Sequence, residues 1–133
     1  MNDILKQVRL LYIEDDESIR TILSRGIKRR VKELEVAVDG KDGLEKFKEF
    51  KPDIVITDIK MPVMNGLDMI RYIKQINPET PTIITTAHQE PELLLDAVEL
   101  QVDGYIVKPI AKKELKKRLE NAPMKSLSAR QNL

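Results

Sequence analysis

The chain contains no cysteine. A disulfide scaffold, thiol catalysis and a cysteine-type zinc site are therefore excluded, and the composition fits a reducing compartment such as the cytoplasm. No apolar run approaches the ~20 residues a membrane helix needs, so no membrane partner is expected. An excess of charge of one sign is nearly absent: 23 Lys and Arg against 22 Asp and Glu leave a formal +1, which argues against a dedicated polyanion-binding surface. The only histidine is His88, and no other residues around it in the sequence make it a metal ligand or nucleophile. Met1-Asn2-Asp3-Ile4 is not a basic region leading into an apolar stretch, so no signal peptide is expected.

What remains suits one domain. The length of 133 residues and a 41% hydrophobic content support a single core, and 34% charged residues give a well-solvated surface. Short apolar runs at Val8–Ile13, Leu34–Val38, Ile54–Thr57, Thr82–Thr86 and Gly104–Val107 read as strands covered on both faces. Segments of helical spacing lie between and after them. They are marked by Ile19, Ile22, Leu23 and Ile27, by Leu44 and Phe47, by Leu67, Ile70 and Ile73, by Leu94, Ala97 and Val98, and by Leu115 and Leu119. Asp39-Gly40 and Asn65-Gly66 open helices, Pro52 separates a helix from a strand, and Asn77-Pro78 closes a helix.

Strict alternation of strand and helix predicts an α/β fold, a flavodoxin-like (βα)5 doubly wound parallel sheet of order 2-1-3-4-5. Residues 1–122 form the domain in this reading. The stretch 123–133, polar and without period, reads as a tail or the start of a linker. Ligand sites in such sheets lie at the carboxyl ends of the strands. There the sequence puts Glu14-Asp15-Asp16-Glu17 after the first strand, Asp58 after the third, Thr85-Thr86-Ala87 at the fourth and Lys108-Pro109 at the fifth.

Three carboxylates within ~5 Å repel by roughly 3 kcal/mol per pair at an effective dielectric of 20. One lysine cannot neutralise them. Hard divalent cations prefer oxygen ligands, and Mg²⁺ typically takes one or two carboxylates with waters and phosphate oxygens. Glu14–Glu17 reads equally well as an acidic N-terminus of the first helix, with Asp16 or Ser18 as the cap. An aspartate after a strand is commonly a turn or cap residue. Beside a metal pocket and a lysine, Asp58 becomes a candidate nucleophile toward phosphorus, with Lys108 and the metal stabilising charge on the phosphoryl oxygens.

These residues, in this order and spacing, resemble the bacterial two-component receiver domain over about residues 7–120. The resemblance rests on Leu10–Asp16 with Ser18-Ile19-Arg20 fixing the register, on Asp53–Pro62 with Asn65-Gly66, on Thr86-Ala87, on Tyr105, and on Lys108-Pro109. It implies phosphorelay signalling. Asp58 would accept a phosphoryl group from a sensor histidine kinase or a phosphotransfer protein. Glu14, Asp15, Asp58 and the backbone carbonyl of Lys60 would bind Mg²⁺. Thr86, the backbone of Ala87 and Lys108 would bind the phosphoryl group, and the Lys108–Pro109 bond would be cis. Thr86 and Tyr105 would form a switch acting on an output face of the fourth helix, fifth strand and fifth helix. The domain would be a regulatory phospho-acceptor rather than an enzyme, apart from its own phosphotransfer and dephosphorylation.

Leu93, Leu94 and Leu95 are consecutive, so at least one should face outward on that output face. His88, two positions after Thr86, reads first as a solvent-exposed loop histidine, with tuning of the phosphate's lifetime as the alternative, a role Lys60, two positions after Asp58, could share. Basic clusters at Lys28–Lys32 and Lys112–Arg118 lack interleaved aromatics and have glutamates beside them, so a solvated face is expected rather than nucleic acid. The second cluster could pair across a homodimer. Three other readings compete, and the presence of the acidic pair, Asp58, Thr86 and Lys108 disfavours one of them, a receiver that binds partners without phosphorylation. A Mg²⁺-dependent aspartyl phosphohydrolase would need a second acid/base carboxylate near the nucleophile and a cap, but Lys60 occupies the nearby position. A flavin-binding module would need a phosphate-cradling first loop, where this chain has four acidic residues.

Overall fold

The computed structural model describes residues 3–87 and 91–127. Five strands, β1 (Arg9–Ile13), β2 (Glu33–Ala37), β3 (Ile54–Asp58), β4 (Thr82–Thr86) and β5 (Gly104–Val107), form one parallel sheet of order 2-1-3-4-5. They alternate with α1 (Glu17–Lys28), α2 (Gly40–Phe50), α3 (Gly66–Ile76), α4 (Pro91–Glu99) and α5 (Lys112–Asn121). The fold class and strand order are those the sequence implies. β1 and β3 differ from the expected bounds by one residue at one end, and β2 by one residue at both ends.

Successive strand residues point to opposite faces, and each face packs its own helices. Leu10, Tyr12, Ile54, Ile56, Ile83 and Ile106 pack with Ile27, Leu115 and Leu119, which puts α1 and α5 on one side. Leu11, Ile13, Val55 and Ile84 pack with Phe47, Met69, Ile70, Ile73 and Ala97, which puts α2, α3 and α4 on the other. The inner strands β3 and β4 are buried at every residue. The edge strands β2 and β5 are only partly covered, unlike the two-sided burial their composition suggests.

The helix starts follow the sequence punctuation. Asp16, Asp39 and Asn65 each accept a backbone N–H three residues on, at 3.0, 2.8 and 2.8 Å. Asn77 closes α3. Two side chains counted toward helix cores face outward instead: Ile22 of α1 and Val98 of α4 are 69% and 72% exposed. Of the three consecutive leucines, Leu95 is exposed.

Two further segments complete the end of the sheet away from the strand carboxyl termini. A 3₁₀ turn at Ile4–Gln7 buries Leu5. Met124 and Leu127, in the stretch the sequence suggests as a tail, are buried in the α1/α5 core. Ser126 Oγ donates to Asp53 Oδ1 at 2.8 Å, and Asp53 Oδ2 accepts the backbone N–H of Arg9 at 2.8 Å. The C-terminal turn is thereby fastened to the starts of the strands that carry the acidic residues at their far ends.

Candidate functional site

β1, β3 and β5 deliver Glu14, Asp58 and Lys108 to one rim. The register pairs Ile13 with Thr57, Asp58 with Thr85, and Thr86 with Val107. The residues just after these pairs therefore converge. One carboxylate oxygen each of Glu14, Asp15 and Asp58 lies within 4.8 Å of the others. Lys108 Nζ donates to Glu14 Oε1 at 2.7 Å and to Asp58 Oδ2 at 2.8 Å.

Each carboxylate is held differently. Glu14 is fully buried, and its Oε2 also accepts the backbone N–H of Asp16 at 3.2 Å. Asp58 is nearly buried, and its Oδ1 accepts the N–H of Ile59 at 2.7 Å. Asp15 is exposed. Asp16 caps α1, while Glu14 and Asp15 stand in the carboxylate cluster. Burial raises the Glu14 carboxyl above its ordinary value, and the charge of Asp58 adds to this; the bonds from Lys108 and Asp16 oppose it. For Lys108, burial alone would lower the ammonium, but its hydrogen bonds to Asp58 and Glu14 outweigh that and raise it.

The β3–α3 connection is built closely around Asp58. The Thr57 hydroxyl donates to the Asp58 carbonyl at 2.8 Å, and Gly66 N–H donates to Ile59 O at 2.8 Å. A Cβ on Gly66 would lie 2.0 Å from the Asp58 carbonyl oxygen, so only glycine fits. Lys60 follows in this loop, with its side chain exposed. Thr86 ends β4, buried, and its carbonyl accepts the Lys108 N–H at 2.8 Å. Ala87 is exposed beside it and lines a cleft with Lys108, Pro109 and Ile110 against Ile19, Ile22 and Leu23 of α1. The Lys108–Pro109 peptide is cis. Tyr105 lies on β5, 46% exposed. His88 falls outside the described residues.

Three contributors were not assigned a role from sequence. In the sequence Gly66 stands as helix punctuation and as part of the family resemblance, and Arg20 as a register mark, yet Arg20 Nη1 donates to the carbonyls of Glu14 at 2.9 Å and Asp15 at 3.3 Å. Tyr12 is wholly buried two residues before Glu14, and its hydroxyl has no hydrogen-bond partner among the described residues. Burial, with Glu14 and Asp58 nearby, pushes its phenol up.

A family model described as the response regulator receiver domain matches residues 10–120. The chain belongs to the response regulator receiver domain family. This receiver is 36% identical over 102 residues to the chemotaxis protein CheY of Thermotoga maritima, covering 76% of this chain and 85% of that one. It is 33% identical over 110 residues to the transcriptional regulatory protein AfsQ1 of Streptomyces coelicolor, covering 83% of this chain. It spans only 48% of AfsQ1. Among solved structures, the N-terminal domain of an uncharacterized protein from Wolinella succinogenes superposes with a TM-score of 0.84. That match has 32% identity and covers 93% of this chain and 98% of that one. CheY4 of Vibrio cholerae gives 0.80 at 28% identity, with 86% and 97% covered.

Family membership places the receiver in two-component phosphorelay signalling. Receivers bind Mg²⁺ through acidic residues, and the donor set fits. Three clustered carboxylates offer only oxygen ligands, with one ammonium in contact to offset their charge. Among the described residues no helix is long and apolar enough to cross a membrane.

Proposed function

We propose that this receiver accepts a phosphoryl group on Asp58 from a phosphohistidine, in a Mg²⁺-dependent step, and relays its phosphorylation state through the α4–β5–α5 face. The observation that carries the reading is the joint contact of Lys108 with Asp58 and Glu14 beside Asp15. The carboxylates of Glu14, Asp15 and Asp58, with the carbonyl of Lys60, would hold the ion, which supplies charge stabilisation on the phosphoryl oxygens. An Asp58 oxygen attacks phosphorus, the P–N bond breaks, and the departing imidazole keeps that electron pair and takes up a proton. Lys108 leaves its bond to Asp58 to pair with a phosphoryl oxygen, and the Thr86 hydroxyl and Ala87 N–H take others. The role is regulatory: the acyl phosphate is the signal, not an intermediate in multiple turnover.

The exposed Leu95, Val98 and Tyr105 mark the output face. Movement of Thr86 toward the phosphoryl group frees space for Tyr105. One charge-assisted hydrogen bond, worth about 1.5–3 kcal/mol, suffices to shift a two-state equilibrium ten- to a hundred-fold. α4 carries Glu92, Asp96 and Glu99, while α5 carries Lys112, Lys113, Lys116, Lys117 and Arg118. A two-fold homodimer through this face sets acidic α4 against basic α5 of the partner. A cytoplasmic location follows from the phosphodonor.

The test is intact mass after incubation with a small phosphodonor and Mg²⁺. One phosphoryl adduct on the wild type, absent with EDTA and from Asp58→Asn, is expected. An adduct that survives either change overturns the reading.

A further inference from the structure

We infer that Arg20 is a positioning residue for Asp15, setting the aim of a carboxylate that no other described residue holds. This rests on the acidic trio being the metal site proposed above. The three carboxylates differ in their supports. Glu14 is fixed by Lys108 and the Asp16 N–H, and Asp58 by Lys108 and the Ile59 N–H. The Asp15 carboxylate has no hydrogen bond or ion pair among the described residues. The direction in which it leaves the chain is therefore set by its backbone.

That backbone is gripped from one turn into α1. A single guanidinium nitrogen of Arg20 reaches the carbonyls of Glu14 and Asp15 at 2.9 and 3.3 Å. Those carbonyls belong to the peptide groups on either side of the Asp15 Cα. Holding both planes fixes the direction in which the Asp15 Cβ leaves the chain. The Asp16 cap, accepting the Ile19 N–H at 3.0 Å, anchors the far side of the same turn. Arg20 is half-buried and bonds only main-chain oxygens here, so no carboxylate of the trio is occupied by it.

Two effects of this cation on metal binding have opposite signs. As a charge beside the carboxylates it disfavours a dication. As a clamp it pre-organises a ligand and favours one, and loss of outer-shell support of this type typically costs ~10–100-fold in metal affinity. The clamp is assigned as the larger effect. Lysine separates them, because it keeps the charge and loses the planar guanidinium.

Calorimetric titration with Mg²⁺ alone, on wild type, Arg20→Lys, Arg20→Ala and Asp15→Asn, is the test. Expected is a weaker Mg²⁺ affinity in both, ~10-fold for Arg20→Lys, which keeps the repelling charge, and ~3-fold for Arg20→Ala, which also sheds it. Phosphoryl uptake from a small phosphodonor should recover its wild-type maximal rate at saturating Mg²⁺ in both, with only the half-saturating concentration raised. Unchanged or tighter Mg²⁺ binding in both variants overturns the clamp, as does a lower maximal rate at unchanged affinity. If the wild type itself takes up no Mg²⁺, or Asp15→Asn binds it equally well, the underlying site assignment fails instead. Arg20→Lys keeps the assay usable should Arg20→Ala not fold.

Discussion

Lys108 Nζ lies 2.8 Å from Oδ2 of Asp58, across β4 and 50 positions away in sequence. The same ammonium reaches buried Glu14 at 2.7 Å. One cation from the last strand thus bridges the ends of the first and third.

Removing that cation leaves two carboxylates facing each other out of water. Breaking a buried pair by deleting one partner costs roughly 3–5 kcal/mol. Lys108→Ala should therefore lower the stability of the metal-free protein by about 3 kcal/mol. Adding Glu14→Gln should recover a large part of the loss, because the two sites share the interaction. Denaturant midpoints of the single and double variants measure this. Additive losses would place the cost elsewhere.

Stability without metal should depend on pH through Glu14. Its folded-state carboxyl is raised above the ordinary 4.5, first by burial. The folded chain then holds that proton more tightly than the unfolded chain, so stability falls as pH rises through the interval above 4.5 and is regained on acidification. Lys108 behaves in the usual basic sense: its contribution is complete below 10.5 and is lost as pH rises through its raised folded value. Melting curves from mildly acid to neutral pH should show a slope in the wild type that Glu14→Gln removes. Parallel curves for the two proteins would contradict the burial account.

The β3–α3 loop makes opposite demands at two positions. Val63 has φ +70 and is 77% exposed, so a β-branched residue holds a left-handed backbone with little packing in return. Val63→Gly should raise stability by about 1 kcal/mol. Gly66→Ala should do the reverse, since its Cβ would meet the Asp58 carbonyl oxygen at 2.0 Å. A loss of ~2 kcal/mol or more is expected there, with phosphoryl uptake reduced because the Asp58 backbone must move. Thermal melts of both variants suffice, and a stable, fully active Gly66→Ala would show that the loop yields.

The turn after α5 should matter to folding. Leu127 is 3% exposed, and truncating a buried leucine costs about 2–5 kcal/mol. Leu127→Ala should sit near the lower figure, because the segment is short. A loosely attached tail would show no change in midpoint.

The chain announces its inner architecture more clearly than its ends. Ile54–Thr57 and Thr82–Thr86 are legible because both faces are buried, so apolar residues run without alternation. Asp39 and Asn65 announce helix starts because the cap is chemical and local. The rule that chemistry gathers at strand carboxyl ends then brings Glu14, Asp15, Asp58 and Lys108 together. Met124 and Leu127 escape notice because two apolar residues three apart in polar sequence give no period. Ile22 and Val98 mislead for the converse reason: helical spacing identifies an apolar stripe but not how much of it a neighbour covers. Arg20 is invisible as a contributor, since its partners are main-chain oxygens, which every residue has.

The most direct measurement is where the phosphoryl group resides. Borohydride converts an aspartyl phosphate to homoserine, which peptide mass mapping locates. After treatment with a small phosphodonor and Mg²⁺, homoserine is predicted at position 58 and nowhere else. Homoserine at Asp15 or Asp53, or a phosphate that borohydride leaves in place on a hydroxyl side chain, would contradict the account.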